Sequence, residues 1–313
     1  MKKRLTMITL AEEYLLHRRR LGYVLHGDGQ QLFHFARYAE TVRHRGPVTV
    51  ELAVKWATHD GPSSEWIARR LSIVRGFARH RSLFDPATEI PPAGLFGPSR
   101  SRHPPYIYSD TEIATLLHAA AELRPANGLR PRTYVTLVGL LVSTGLRISE
   151  ALQLSRSNVD LDEGVLTIVE SKLRKSRLVP MHRSTTRALR RYARLRDGYC
   201  RIPIDDTFFL NERGKRLPLR TVEETFSRLR RKLGCTNGRP PRIHDLRHTM
   251  AVRRLLRWYQ EDAEVGCKIA ALSTYLGHVE VRDTYWYLTA VPELMALIAA
   301  RFESFGRQER RPA

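Results

Sequence analysis

The 313-residue sequence places two arginines where they could work on a phosphate. Arg147 lies in STGLRISEALQL, where Gly145 offers a backbone turn and Arg147 opens a helix that carries Glu150, Leu152 and Leu154. Arg247 lies in RIHDLRHTMAVRRLL, where His244, Arg247 and His248 fall on neighbouring turns of one helix. A guanidinium forks two hydrogen bonds onto phosphate oxygens and stays charged at any working pH. Two of them can therefore neutralise a pentavalent phosphoryl transition state. Breaking and resealing a nucleic-acid strand without metal or ATP needs such fixed cations, and a nucleophile that stores the bond energy covalently. The competing reading of either arginine is a solvated charge in a basic protein.

Two further clusters carry alternatives. Tyr285, Trp286 and Tyr287 form an aromatic group that as core material needs no chemistry. HDLRH differs from the metalloprotease pattern H-E-x-x-H only by Asp for Glu, so His244 and His248 could grip one metal. No clear third ligand follows, and a metal site leaves the positive charge of the chain unexplained.

Read in order, TGLRISEAL, then Lys172 in the turn SKLRK, then HDLRH, then LGHVEVRDTYWY resemble the catalytic signature of the tyrosine recombinase or phage integrase family, in its transposon-borne or Xer-like form. The likeness covers residues 106–305. It implies that Arg147 and Arg247 cradle a scissile phosphate and that Lys172 protonates the leaving 5′ oxygen. By the same likeness His244 acts as acid or base near the nucleophile, His278 hydrogen-bonds the phosphate and Tyr287 attacks it. Tyr287 rather than Tyr285 has the family's spacing, nine residues after His278 with Thr284 three before. The chemistry is coherent, because a phenol must lose a proton on attack and an alkoxide must gain one. A site-specific recombinase of this type forms a 3′-phosphotyrosine and a Holliday junction, with no cofactor and no metal. Arg174, Lys175 and Arg177 compete with Lys172 as mere hairpin solubilisers, and Ser171 and Leu173 replace the family's usual glycines. Glu150 and Asp245 are expected to orient arginines or cap helices. Two rival functions remain: a type IB topoisomerase-like activity, or a catalytically silent DNA-binding partner of a related recombinase.

The elements that must position these residues follow from composition and period. Lys and Arg total 53 against 32 Asp and Glu, giving +21 and a pI near 10.5. Residues 1–100 alone carry 16 basic and 9 acidic groups, so the charge is not a tail on a neutral body. Such a field attracts polyanions. Hydrophobic residues make up 42% of the chain, enough for two separate cores. Residues 1–85 read as four short helices, which by the resemblance correspond to the family's DNA-binding core-binding domain. It has apolar stripes such as Leu10, Tyr14, Leu15 and Leu21, and DNA-facing arginines Arg18, Arg19, Arg20, Arg37, Arg69, Arg70, Arg75 and Arg79. Six prolines between Pro86 and Pro105 predict an extended linker over 86–105. A catalytic domain at 106–305 and a basic tail at 306–313 complete the chain.

In the second domain Ser109 and Glu112 have capping-box spacing, and helices are predicted at 110–123, 131–144 and 147–153. GVLTIVE and SRLVPM predict one hairpin. The fold class is mainly α with a small antiparallel sheet. WYQEDAEVGCKIAALST is longer than in compact bacterial members, which predicts an added turn and points to transposon-borne relatives. The resemblance implies double-stranded DNA as partner and a homotetramer on two DNA sites, alone or with related recombinases. Leu294, Ile298 and Phe302 are expected to form the docking face between protomers. Three cysteines without a CxxC pair, no apolar run of membrane-spanning length, and Glu12 and Glu13 near the N-terminus predict a cytoplasmic protein with no membrane partner, and the resemblance implies a bacterial, nucleoid-associated one.

Overall fold

The structure is a computed structural model that describes residues 6–97, 104–169, 176–234, 240–261, 264–290 and 292–299. The chain divides into two compact units, 1–103 and 104–313.

The first unit contains α1 (Met7–Arg20), α2 (His26–Thr41), α3 (Val50–Thr58) and α4 (Ser64–Arg81). Thr6, Thr49 and Ser63 cap α1, α3 and α4 by accepting the backbone N–H three residues on. Leu15, Leu32, Phe35, Trp56, Leu71, Val74 and Phe77 close the core. Leu21 was expected on the buried stripe but is exposed, because α1 ends at Arg20 and the chain turns away.

Three of the arginines expected at DNA also make bonds within the unit. Arg69 pairs with Asp28 at 2.6 Å, and Arg70 donates to the carbonyl of His59 beyond the end of α3 at 3.1 Å. Arg75 donates to the carbonyls of Pro91 and Pro92 at 2.7 and 2.6 Å. That contact changes the picture of the proline-rich stretch. Prolines bring carbonyls but no N–H, Arg75 takes those carbonyls, and Glu89 bonds Val50 and Val48 through side chain and backbone. Residues 86–97 thus lie along the first unit. Arg19, Arg20, Arg37 and Arg79 stay exposed.

The second unit begins with α5 (Asp110–Ala121), whose Ser109–Glu112 capping box forms as expected, followed by α6 (Leu129–Thr144) and α7 (Ile148–Gln153). Strands β1 (Val159–Asp160), β2 (Val165–Ile168) and β3 (Arg177–Pro180) form one antiparallel sheet in the order β1-β2-β3, with Leu166 opposite Val179. The predicted hairpin is present. The third strand went unread because two residues cannot display alternation. Helices α8 (Arg183–Tyr199), α9 (Leu219–Leu229), α10 (Asp245–Gln260), α11 (Val265–Leu276) and α12 (Arg282–Ala290) follow, and residues 292–299 are helical. Of the long WYQEDAEVGCKIAALST stretch, residues 258–260 end α10 and residues 265–274 lie in α11, while residues 262 and 263, where the added turn would fall, lie outside the described residues.

Two apolar clusters support this unit. The larger joins Leu116, Leu137, Leu152, Leu166, Val179, Tyr192, Phe208 and Leu246. The smaller joins Ala251, Val252, Leu255, Ile269, Leu272, Leu276, Tyr287 and Leu294. Leu294, expected on a face offered to a neighbour, is therefore buried in its own chain, and Ile298 is partly buried. Phe302 lies outside the described residues. Among the described residues no helix is long and apolar enough to cross a membrane.

Candidate active site

Four chain segments meet at the site: the turn from α6 to α7, strand β3, the start of α10, and the stretch from α11 into α12. Two glycines make the meeting possible. Gly145 ends α6 at φ +64°, and a β-carbon there would lie 2.7 Å from Met250 Cε. Gly277 ends α11 at φ +67°, and a β-carbon there would lie 2.7 Å from an Arg177 guanidinium nitrogen. Only glycine takes this backbone at no steric cost.

Each glycine carbonyl accepts from the arginine of the other segment. Arg247 donates to Gly145 O at 2.8 Å and Leu276 O at 2.6 Å. Arg147 donates to Gly277 O at 2.8 Å and to Glu150 Oε1 at 2.7 Å. A guanidinium has five N–H groups, so these anchors fix both planes and still leave donors for an anion. Glu150 does what was expected of it and more. Its Oε2 accepts the Arg147 backbone N–H at 3.0 Å, and both its oxygens accept from Arg177 at 3.1 and 2.9 Å. Burial pushes the Glu150 carboxyl up, but the Arg177 bonds, the Arg147 N–H and both guanidinium charges outweigh it and hold it below the usual carboxylate range.

Arg177 is the residue that sequence reasoning undervalued. Weighed as a competitor of Lys172 or a hairpin solubiliser, it has a side chain 8% exposed, and its Nε donates to Tyr275 O at 2.9 Å. The signal was present: Arg177 stands two residues from buried Val179, hence on the same face of β3. Lys172, with the turn that bears it, lies outside the described residues.

Asp245, the first residue of α10, is buried and accepts the Arg242 backbone N–H at 2.7 Å and its guanidinium at 2.9 Å. This clamp sets the entry to HDLRH. Arg247, His248 and Thr249 follow inward, while His244 keeps an edge open to solvent. The His244 and His248 rings meet edge to face, with centroids 4.7 Å apart. His248 Nδ1 lies 2.9 Å from Tyr287 Oη. His278 Nδ1 lies 2.7 Å from the buried Thr284 hydroxyl, and the His278 ring stacks on Tyr287 at 6.3 Å. Tyr287 itself is 2% exposed, whereas Tyr285 is 48% exposed. The Tyr287 ring is packed and its hydroxyl is engaged. Of the residues singled out in the sequence, Arg147, Arg247, His244, His278 and Tyr287 converge. His248, read there only as half of a metal pair, joins them. Among the described residues no group of three His, Cys, Asp or Glu is arranged to hold a metal ion.

The electrostatics are those of a buried cationic pocket. Burial, then the Arg247 charge, brings His244 down to about 4. His248 falls to about 3 through burial and then its neighbour His244. His278 falls to about 4 through burial and then Arg247 and Arg147. Burial and Arg147 lower Arg247 to about 10. Burial raises the Tyr287 phenol, against a counter-pull from Arg247. At neutral pH the pocket therefore holds charged guanidiniums, neutral imidazoles and a neutral phenol.

The sequence profile described as "Phage integrase family" matches residues 108–293. Over 304 residues the chain is 43% identical to y4rB of Sinorhizobium fredii (strain NBRC 101917 / NGR234), provisionally named an integrase/recombinase, covering 93% of this chain and 95% of that protein. It is 31% identical over 225 residues to the tyrosine recombinase XerC of Chlamydia trachomatis serovar L2, covering 72% and 67%. Among solved structures, the Tn1549 transposon integrase in complex with transposon right end DNA shares the fold at TM-score 0.68 and 18% identity, over 96% of this chain and 100% of that one. The chain belongs to the phage integrase family, the tyrosine recombinases, and its enzyme class is that of a site-specific recombinase.

Proposed function

We propose that this chain cleaves and rejoins double-stranded DNA at specific sites through a covalent 3′-phosphotyrosine at Tyr287, without metal or ATP. The observation that carries the reading is the convergence of Arg147, Arg247, His278 and His248 around a buried tyrosine hydroxyl. Arg147 and Arg247 bind the non-bridging phosphate oxygens as charge builds on them. His278 hydrogen-bonds the phosphate, and His244, by family resemblance, acts as acid or base near the nucleophile. Lys172, by family resemblance, protonates the leaving 5′ oxygen. The free 5′ hydroxyl of a second duplex then attacks the phosphotyrosine, and repetition on the other strands passes through a Holliday junction. Four protomers on two DNA sites follow from that scheme, as does residence with the bacterial nucleoid. The transposon integrase sharing the fold and the S. fredii relative favour integration or transposition of a mobile element as the setting.

The test uses nicked duplexes drawn from the DNA flanking the gene, incubated in chelator with wild type or Tyr287→Phe and run on a denaturing gel. A nick lets the 5′ fragment escape and traps the intermediate. A protein–DNA adduct with wild type and none with Y287F is expected. Binding with no adduct on any substrate would reduce the chain to a silent partner, and adduct formed only with added zinc would revive the HDLRH metal site.

A further inference from the structure

The proton of the nucleophile has a receiver in the structure other than the histidine singled out by resemblance. We infer that His248 accepts the Tyr287 phenol proton during attack on the phosphate, with Asp245 setting the tautomer that makes this possible. The inference rests on the proposed strand cleavage and specifies one of its steps.

Geometry carries the argument. Tyr287 Oη and His248 Nδ1 are 2.9 Å apart, inside hydrogen-bond range, and His248 is held edge to face against His244, Trp286 and Tyr287. The imidazole has one proton to place. Its Nε2 lies 3.9 Å from Asp245 Oδ1, a buried carboxylate fixed by Arg242. That is too long for a hydrogen bond, but the negative charge favours a proton on Nε2 over Nδ1. Nδ1 is then the lone-pair nitrogen, and the phenol O–H donates to it. Phenol, imidazole and carboxylate thus line up as nucleophile, base and orienting acid, the order that serves serine hydrolases.

The groups facing His248 are Asp245 and Arg247 on α10, Arg242 and His244 before it, His278 after α11 and Tyr287 on α12. Burial and the surrounding cations keep the free imidazole neutral, as a base must be. A phosphodiester between Arg147 and Arg247 adds a negative charge that favours the imidazolium. The step balances: the Tyr287 oxygen forms a bond to phosphorus and its proton passes to His248 Nδ1. The bond from phosphorus to the 5′ oxygen breaks, and that oxygen takes a proton from the general acid, proposed to be Lys172. Rejoining runs the same transfers in reverse.

The experiment measures single-turnover adduct formation on the nicked duplex for wild type, His248→Ala and His248→Asn, from pH 6 to 9, with DNA affinity and melting temperature recorded alongside. Asparagine keeps an acceptor near the Nδ1 position but has no basic nitrogen. Both variants should cleave about 10²–10³-fold more slowly with near-normal DNA affinity. Their rates should climb about tenfold per pH unit as free phenolate replaces the lost base, and the wild-type rate should climb less steeply. Wild-type speed in H248N would overturn the proposal, leaving His248 as a spacer that orients the phenol. A second substrate bears sulfur at the bridging 5′ position, so its leaving group needs no proton. The His248 defect should persist on it, and rescue by it would overturn the proposal by making His248 the acid. Absence of any adduct with wild type would instead count against the strand-cleavage reading itself.

Discussion

The Arg177 guanidinium lies 2.7 Å from the point where a β-carbon on Gly277 would fall. A flexible side chain could step aside, but Arg177 is tied to both oxygens of Glu150 and to the Tyr275 carbonyl. Gly277→Ala should therefore cost about 1–3 kcal/mol, combining left-handed backbone strain with a displaced ion pair. It should also depress cleavage more than stability explains, since the Gly277 carbonyl holds Arg147. Melting temperature set beside cleavage rate on one preparation checks both.

Glu150 shares one buried carboxylate between Arg147 and Arg177. Replacing it with glutamine preserves shape but leaves two cations without their anion, which in buried sites costs about 3–5 kcal/mol. Urea unfolding should show that loss at unchanged m-value. Arg177→Lys should be nearly as damaging, because an ammonium cannot fork onto both oxygens.

Acid should destabilise the DNA-free protein well above the range where carboxylates titrate. The histidine pKa values in the fold are lowered to about 3 for His248 and about 4 for His278, against an ordinary 6.5. The unfolded chain thus binds more protons between those limits. Stability is full above about pH 6.5 and falls as pH drops toward 4, by up to about 1.4 kcal/mol per pH unit for each buried imidazole. His244 contributes less, since solvent reaches one edge of it. Melting curves from pH 4.5 to 7.5 should show this slope, and His248→Asn should flatten it.

In the first unit, Arg75→Ala should release residues 86–97 from α4. Limited proteolysis should then cut between Asp85 and Gly97 faster than in wild type, with the four-helix core remaining intact. Equal cleavage rates would show that Glu89 and Phe96 hold the segment without Arg75.

Much of this architecture was legible in the sequence because local rules decided it. Period and caps located the helices, the Ser109–Glu112 spacing gave a true capping box, and alternating residues located β2 and β3. What stayed hidden depends on partners distant in the chain. The proline-rich stretch lies on α4 because Arg75 accounts for its carbonyls, a pairing no local pattern records. Arg177 meets Glu150 across 27 residues and Tyr275 across 98. His248 was visible as the second histidine of HDLRH, but its meaning depends on Tyr287, 39 residues away. Leu294 fits an intramolecular core as well as an intermolecular one, and its periodicity cannot distinguish them.

Arg147 and Tyr287 are backed by different apolar clusters. Arg147 caps α7 and Arg177 opens β3, and Ala151, Leu152 and Val179 of these elements belong to the larger apolar cluster. Tyr287 stands in the smaller one with Leu255, Leu272 and Leu294. A nine-residue cluster opens at a fraction of the free energy needed to unfold a domain. Loosening it would free the tyrosine and with it the Leu276 and Gly277 carbonyls that anchor Arg247 and Arg147. The seating of both guanidiniums and of the Tyr287 hydroxyl therefore depends on how firmly a few side chains pack behind them.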